Sequence, residues 1–194
     1  MRITYAPGAT PLDPEEALAL IPSSIGTMAE LNEFEQENIL SAQEWALRKR
    51  RPEALSDEFV RGLHKRMFGM VWKWAGKYRL SNKNIGCDWH HVPSEVRKLC
   101  GDVAFWIARN TYPWDEIGAR FHHRLVSIHP FPNGNGRHAR LMTDILLTSH
   151  GQDLFSWGAN SNLAHSGEAR SRYISALREA DDRRFESLLT FARS

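Results

Sequence analysis

The sequence predicts an all-α domain carrying one small β-hairpin, and three observations lead there. Apolar residues recur at helical spacing over most of the 194 residues, prolines and glycines punctuate the intervals between those runs, and residues 77–91 suit a hairpin better than a helix. The composition, 42% hydrophobic and 25% charged, suits one domain with a sizeable core and rules out a disordered polymer.

The elements follow in order. Pro7, Pro11, Pro14 and Pro22 make residues 1–25 an extended surface segment with at most a short helix at Glu15–Ile21. A helix over about 28–47, capped by Thr27 or Asn32, places Leu31, Phe34, Glu35, Asn38, Ile39, Ala42, Trp45 and Ala46 on one face. Ser56 caps a second helix to Met70 with Phe59, Leu63 and Met67 inward. Lys77–His91, where Tyr78, Leu80, Ile85 and Trp89 are scattered among polar residues, reads as a short hairpin or exposed flap. Pro93 opens a helix across Val96–Trp106, and Ile117–Ile128 is apolar enough on one face to be the central helix. After the break at 129–136 the pattern resumes at Arg137–Ser149, then at about Gly167–Arg178, and a last helix starts from Arg183.

No apolar run approaches the ~20 residues of a membrane span, and the start lacks a signal-peptide pattern. Cys87 and Cys100 have neither disulfide-framework nor zinc spacing. A cytoplasmic protein is expected. The net charge of +2 hides an asymmetry: residues 1–47 hold eight carboxylates against Arg2, while residues 48–194 hold twenty-four Lys and Arg against fifteen Asp and Glu. An acidic first quarter facing a basic body suggests a segment that docks on that body. Lys49-Arg-Arg51 reads as a solvated helix end whose cations complement the dipole, so no direct nucleic-acid binding is expected.

The chemistry concentrates in His129-Pro-Phe-Pro-Asn-Gly-Asn-Gly-Arg137-His-Ala-Arg140. Gly134 and Gly136 between two apolar helices let backbone amides approach a ligand, and the following helix offers its positive end to an anion. Arg137 and Arg140, three apart, lie on adjacent turns and can grip different phosphates. Between Ile117 and Thr143 there are four Arg, four His and no carboxylate. His129 has the residue type of a general base. His122, His123 and His138 read as satisfied or exposed histidines, since no carboxylate near them in sequence completes a metal set.

This stretch resembles the signature of the Fic (Fido) family, His-x-Phe-x-(Asp/Glu)-Gly-Asn-Gly-Arg-x-x-Arg, matching at His129, Phe131, Gly134, Asn135, Gly136, Arg137 and Arg140. The likeness extends to Gly76-Lys-Tyr-Arg79, Asn84-Ile-Gly86 and a late helix with Tyr173 and Ala176-Leu177. Pro11-Leu-Asp-Pro14 and the run from Glu30 to Gln36 are similar to the bacterial subgroup called mobile mystery protein B. The resemblance implies an N-terminal extension at 1–50 and a catalytic domain at 51–194 that transfers AMP from ATP to a Ser, Thr or Tyr hydroxyl of a target protein. His129 would be the base. Gly134, Asn135 and Gly136 would cradle the α-phosphate, Arg137 the leaving pyrophosphate and Arg140 the γ-phosphate, with Tyr173 at the nucleotide. Asn84, Ile85 and Gly86 would dock the target by strand addition.

Where the family carries Asp or Glu for Mg²⁺, this chain has Asn133, a neutral and weaker ligand. The departure leaves two alternatives open, a weakly active or inactive nucleotide-binding regulator and transfer of another phosphate-containing group. An inhibitory helix with a (Ser/Thr)-x-x-x-Glu-(Gly/Asn) pattern is also implied, its Glu pairing with the second signature arginine. Helical phase favours Glu35 for that role and the family spacing favours Glu37. An antitoxin-like or mobile-element-encoded partner follows from the subgroup likeness.

Overall fold

Thr27 accepts a hydrogen bond from Glu30 N–H while Glu30 reaches back to Thr27 N–H, and this capping box starts the longest helix of the computed structural model, which describes residues 10–48, 50–158, 163 and 167–194. The helices are α1 Pro14–Ala17, α2 Met28–Leu47, α3 Asp57–Phe68, α4 Val92–Ala108, α5 Trp114–Ile128, α6 Asn135–Ser149, α7 Glu168–Asp181 and α8 Glu186–Arg193. Ser56 caps α3 and Pro93 lies in the first turn of α4, as the sequence predicts, and Pro113 precedes α5.

The α5 and α6 helices pack on each other at the centre; α4 lies against α5, α3 against α6, and α2 covers α3 and α6. Phe121, Leu125, Ile128, Phe131, Met142, Ile145 and Leu146 form the middle of this core, all nearly or fully buried. The α7 and α8 helices pack together, with α8 against α5 around Tyr173, Leu188 and Phe191. No helix among the described residues is long and apolar enough to cross a membrane.

Two expectations are corrected. Residues 77–91 form no strands; the only bridge among the described residues joins Leu20 to Trp72. The cause is Arg79, whose side chain is fully buried and donates to the carbonyls of His129 (2.7 Å), Ser81 (2.7 Å) and Cys87. The backbone N–H of Arg79 meets Pro130 O and that of Cys87 meets Ile128 O, so these two backbone groups go to the α5–α6 connection and not to a cross-strand ladder. Arg51 does not face water either. It is buried over the Trp45 ring and donates to the carbonyls of Trp45 and Ala46, closing the C-terminal end of α2. Lys49 lies outside the described residues.

Candidate functional site

The connection 129–134 is almost wholly buried, which is tolerable only because its polar groups are satisfied. His129 ends α5 in the left-handed region, φ 54°, turning the chain away from the helix. Asn135 closes the loop on itself, accepting from Phe131 N–H at 2.9 Å and donating to Phe131 O at 2.8 Å. His64 Nε2 donates to the Asn133 carbonyl at 3.1 Å while its ring stacks on Phe131 at 3.7 Å. Gly134 has φ 78°, and a Cβ there would meet the Phe68 ring at 2.6 Å, so only glycine fits.

This loop forms one wall of a cavity of about 1170 Å³ bounded by α2, residues 84–86, α6 and α7. Gly134, Asn135, Gly136, Arg137, Arg140 and Tyr173 all line it, as do His129, Asn133, Asn84, Ile85 and Gly86. No side chain caps the first turn of α6, so that positive helix end is available to an anion. The structure thus brings these residues together around one cavity, with the side chain of Asn135 engaged in bracing the loop.

His129 is buried, and its Nε2 faces Thr10 Oγ1 at 3.0 Å. Burial, reinforced by the Arg79 guanidinium, pushes its pKa down to about 4. The imidazole is therefore neutral at pH 7 and can accept a proton. His122 and His138 are pushed to about 3 by burial, and burial holds His64 well below the usual imidazole range. His122 bonds the Tyr173 hydroxyl, His138 the Val60 carbonyl, and His123 meets Asp181 at 2.8 Å, a carboxylate the local sequence does not reveal.

A stability prediction follows. A histidine whose folded pKa is depressed leaves the unfolded chain binding more protons below pH 6.5, so stability falls as pH falls. Asp144, pushed up to about 7 by burial, works in the opposite sense, holding a proton that the unfolded chain releases above about pH 4. The four depressed histidines together outweigh it near pH 5, where the unfolded chain binds more protons than the folded one. Urea melts between pH 4 and 7 are expected to show stability climbing steeply with pH.

Glu35 is buried, accepting from Trp72 Nε1 at 2.7 Å and from Arg137 Nη1 at 2.6 Å. Glu37 is exposed, so helical phase, not motif spacing, identifies the carboxylate in the cavity. Its partner differs from the expected one. Trp72 fixes one carboxylate oxygen and directs the other to the first signature arginine, while Arg140, one turn further along α6, sits 5.6 Å from the Tyr173 ring.

Asn133 does not offer a metal ligand. Its Oδ1 accepts from Gly134 N–H at 2.6 Å and its Nδ2 donates to Thr10 O at 3.1 Å. Among the described residues no group of three or more His, Cys, Asp or Glu could hold a metal ion. A hard cation such as Mg²⁺ prefers at least one carboxylate, and the residues present do not fit it.

Thr10, Trp72, Arg79 and His64 carry site roles that the sequence reading misses. Only Arg79 had a signal, standing in the Gly76-Lys-Tyr-Arg79 likeness.

Residues 54–147 match the model of the Fic/DOC family. Over that stretch the chain is similar to the Fic/DOC family. It is 29% identical over 124 residues to protein adenylyltransferase fic-1 of Caenorhabditis briggsae, covering 57% of this chain and 24% of that protein. It is 40% identical over 92 residues to a probable protein adenylyltransferase of Aquifex aeolicus, covering 46% of this chain and 25% of that one. The chain thus spans about a quarter of the length of these relatives. In fold it is similar to BepC, a VirB-translocated effector protein of Bartonella tribocorum solved with bound AMPPNP, with a TM-score of 0.71 and 15% identity over 93% of this chain and 97% of that one.

Proposed function

We propose that this chain transfers AMP from ATP to a hydroxyl of a target protein, and that α2 holds the site closed. The observation that carries the reading is a neutral His129 whose Nε2 faces a hydroxyl at 3.0 Å on the wall of a cavity that Arg137 and Arg140 also line. The relatives named as adenylyltransferases and the AMPPNP-bound neighbour support a nucleotide as donor.

In this mechanism the acceptor oxygen attacks the α-phosphorus of ATP and gives its proton to His129 Nε2. The bond from that phosphorus to the β-phosphate oxygen breaks, and pyrophosphate leaves. Backbone N–H groups in the first turn of α6 stabilise the charge gathering on the α-phosphate, and Arg137 and Arg140 take that of the leaving group. Asn84, Ile85 and Gly86, all exposed, would receive the target segment. Because the backbone N–H groups of Arg79 and Cys87 already bond the α5–α6 connection, docking there relies on side-chain contact as well as backbone pairing. No step is routed through a protein-held Mg²⁺.

The regulatory part of the proposal rests on Glu35. While it pairs with Arg137, that arginine is withheld from phosphate and the cavity carries an extra negative charge. In this reading residues 1–50 are a regulatory extension and 51–194 the catalytic body, in a bacterial protein that an antitoxin-like partner also controls. Glu35→Gly is expected to raise incorporation of labelled AMP into protein at least tenfold, the scale of about 1.4 kcal/mol that one lost charge-assisted contact provides. Glu37→Gly is expected to leave it unchanged. Equal responses of the two variants would overturn the assignment.

The bonds that occupy both ends of the Asn133 amide favour a second reading, a weakly active Fic-like nucleotide binder. Incorporation that appears only in Asn133→Asp, and not in Glu35→Gly, would select it.

A further inference from the structure

Thr10 was expected to lie on the surface, yet it is 6% exposed. It is held at two points: its hydroxyl lies 3.0 Å from His129 Nε2, and its carbonyl accepts from Asn133 Nδ2 at 3.1 Å. The segment behind it is fastened to the residues flanking the target-docking trio. Asp13 accepts from Ser81 Oγ at 2.6 Å and pairs with Lys83 at 2.8 Å; Glu16 pairs with Lys83 at 2.5 Å. Further along, Trp74 Nε1 donates to Glu16 O, Lys73 N–H to Ala19 O and Ile21 N–H to Val71 O. Residues 10–21 are thus a strap laid over the acceptor side of the cavity.

We propose that Thr10 is an acceptor in cis: the strap presents its own hydroxyl to His129 as a target protein would. The inference rests on the transfer reaction above. When a nucleotide enters, Thr10 Oγ1 attacks the α-phosphorus, its proton passes to His129 Nε2, the bond to the β-phosphate oxygen breaks and pyrophosphate departs, leaving AMP esterified to Thr10. Two-point holding replaces an encounter between molecules by a pre-oriented intramolecular step, the condition under which effective concentrations are highest. The strap and Glu35 then act on different halves of the cavity, one at the acceptor and one at the phosphates. A target protein must displace the strap, so Thr10 competes with it.

The test uses the full chain carrying Glu35→Gly, incubated with ATP and Mg²⁺, with peptide mass spectrometry to locate AMP and α-labelled ATP to follow labelling of added cell-extract proteins. The expected result is AMP on Thr10, formed at a rate independent of protein concentration. Thr10→Ser is expected to keep the adduct. Thr10→Val removes the hydroxyl at constant shape, and it is expected to abolish the adduct while extract labelling persists or rises. Asp13→Ala, which loosens the strap from Ser81 and Lys83, is expected to lower Thr10 modification and raise extract labelling. Extract labelling with no AMP on Thr10, or a Thr10 adduct whose rate grows with protein concentration, would overturn the proposal and leave the transfer reaction standing. No labelling of any protein by any variant would overturn both.

Discussion

Replacing His129 with Ala is expected to lower nucleotide transfer by about 10²–10⁴-fold, the range for loss of a positioned general base. Among the described residues, the buried His122 and His138 hold partners elsewhere, at Tyr173 and the Val60 carbonyl. Nucleotide binding is expected to survive, because the phosphate-facing residues Arg137 and Arg140 and the first turn of α6 are untouched. The pair of measurements, transfer lost and ATP affinity retained, separates a chemical role from a structural one. The pH dependence is a second check. With the imidazole pushed down to about 4 by burial, the base stays deprotonated across neutrality, so the wild-type rate is expected to be flat above about pH 5 on this limb. A limb near pH 6.5 would mean that His129 is solvated when the site works.

Phe131→Ala is expected to destabilise the fold by about 3–5 kcal/mol, the usual cost of emptying a buried aromatic site. Phe131 is fully buried, stacked on His64 at 3.7 Å, edge-on to His138 at 5.0 Å and tilted against Tyr78 at 5.6 Å. Its backbone N–H and C=O are the two groups that Asn135 clasps, so the cavity left behind lies directly beneath the loop that carries His129 and Asn133. Loss of transfer is expected to accompany loss of stability, which distinguishes this variant from His129→Ala. For a chain of this size the midpoint of thermal unfolding would fall by about 6–20 °C. A shift under a few degrees would mean that neighbouring rings close over the gap.

The helical elements were legible because their signals are local. Thr27 and Ser56 cap where they should, and the apolar faces of α3, α5 and α6 are written at 3.6-residue spacing. The phosphate-facing end of the site was legible for the same reason, since His129, Gly134, Arg137 and Arg140 lie within a dozen consecutive residues. Glu35 also announced itself, as a carboxylate inside an apolar arc. The acceptor end was not legible. Thr10 meets His129 across 119 positions, from a proline-punctuated segment with no period, and nothing in its own neighbourhood marks it as buried. Residues 77–91 misled for an opposite reason. Their scattered apolar residues among Asn and Gly suit a hairpin, but the deciding group is a single buried guanidinium, Arg79, which gathers the carbonyls of Ser81, Cys87 and His129. The choice of Arg137 over Arg140 as the partner of Glu35 depends on Trp72, on neither helix of the pair.

What leaves ATP in this cavity defines the reaction. Two parallel reactions of the Glu35→Gly protein, one with ATP labelled on the α-phosphate and one with the label on the γ-phosphate, report it directly. Geometry that sets a hydroxyl against a neutral His129, with two arginines lining the same cavity to take a leaving pyrophosphate, predicts stable protein labelling from the α-position and none from the γ-position. Labelling from the γ-position, or from neither, would contradict it.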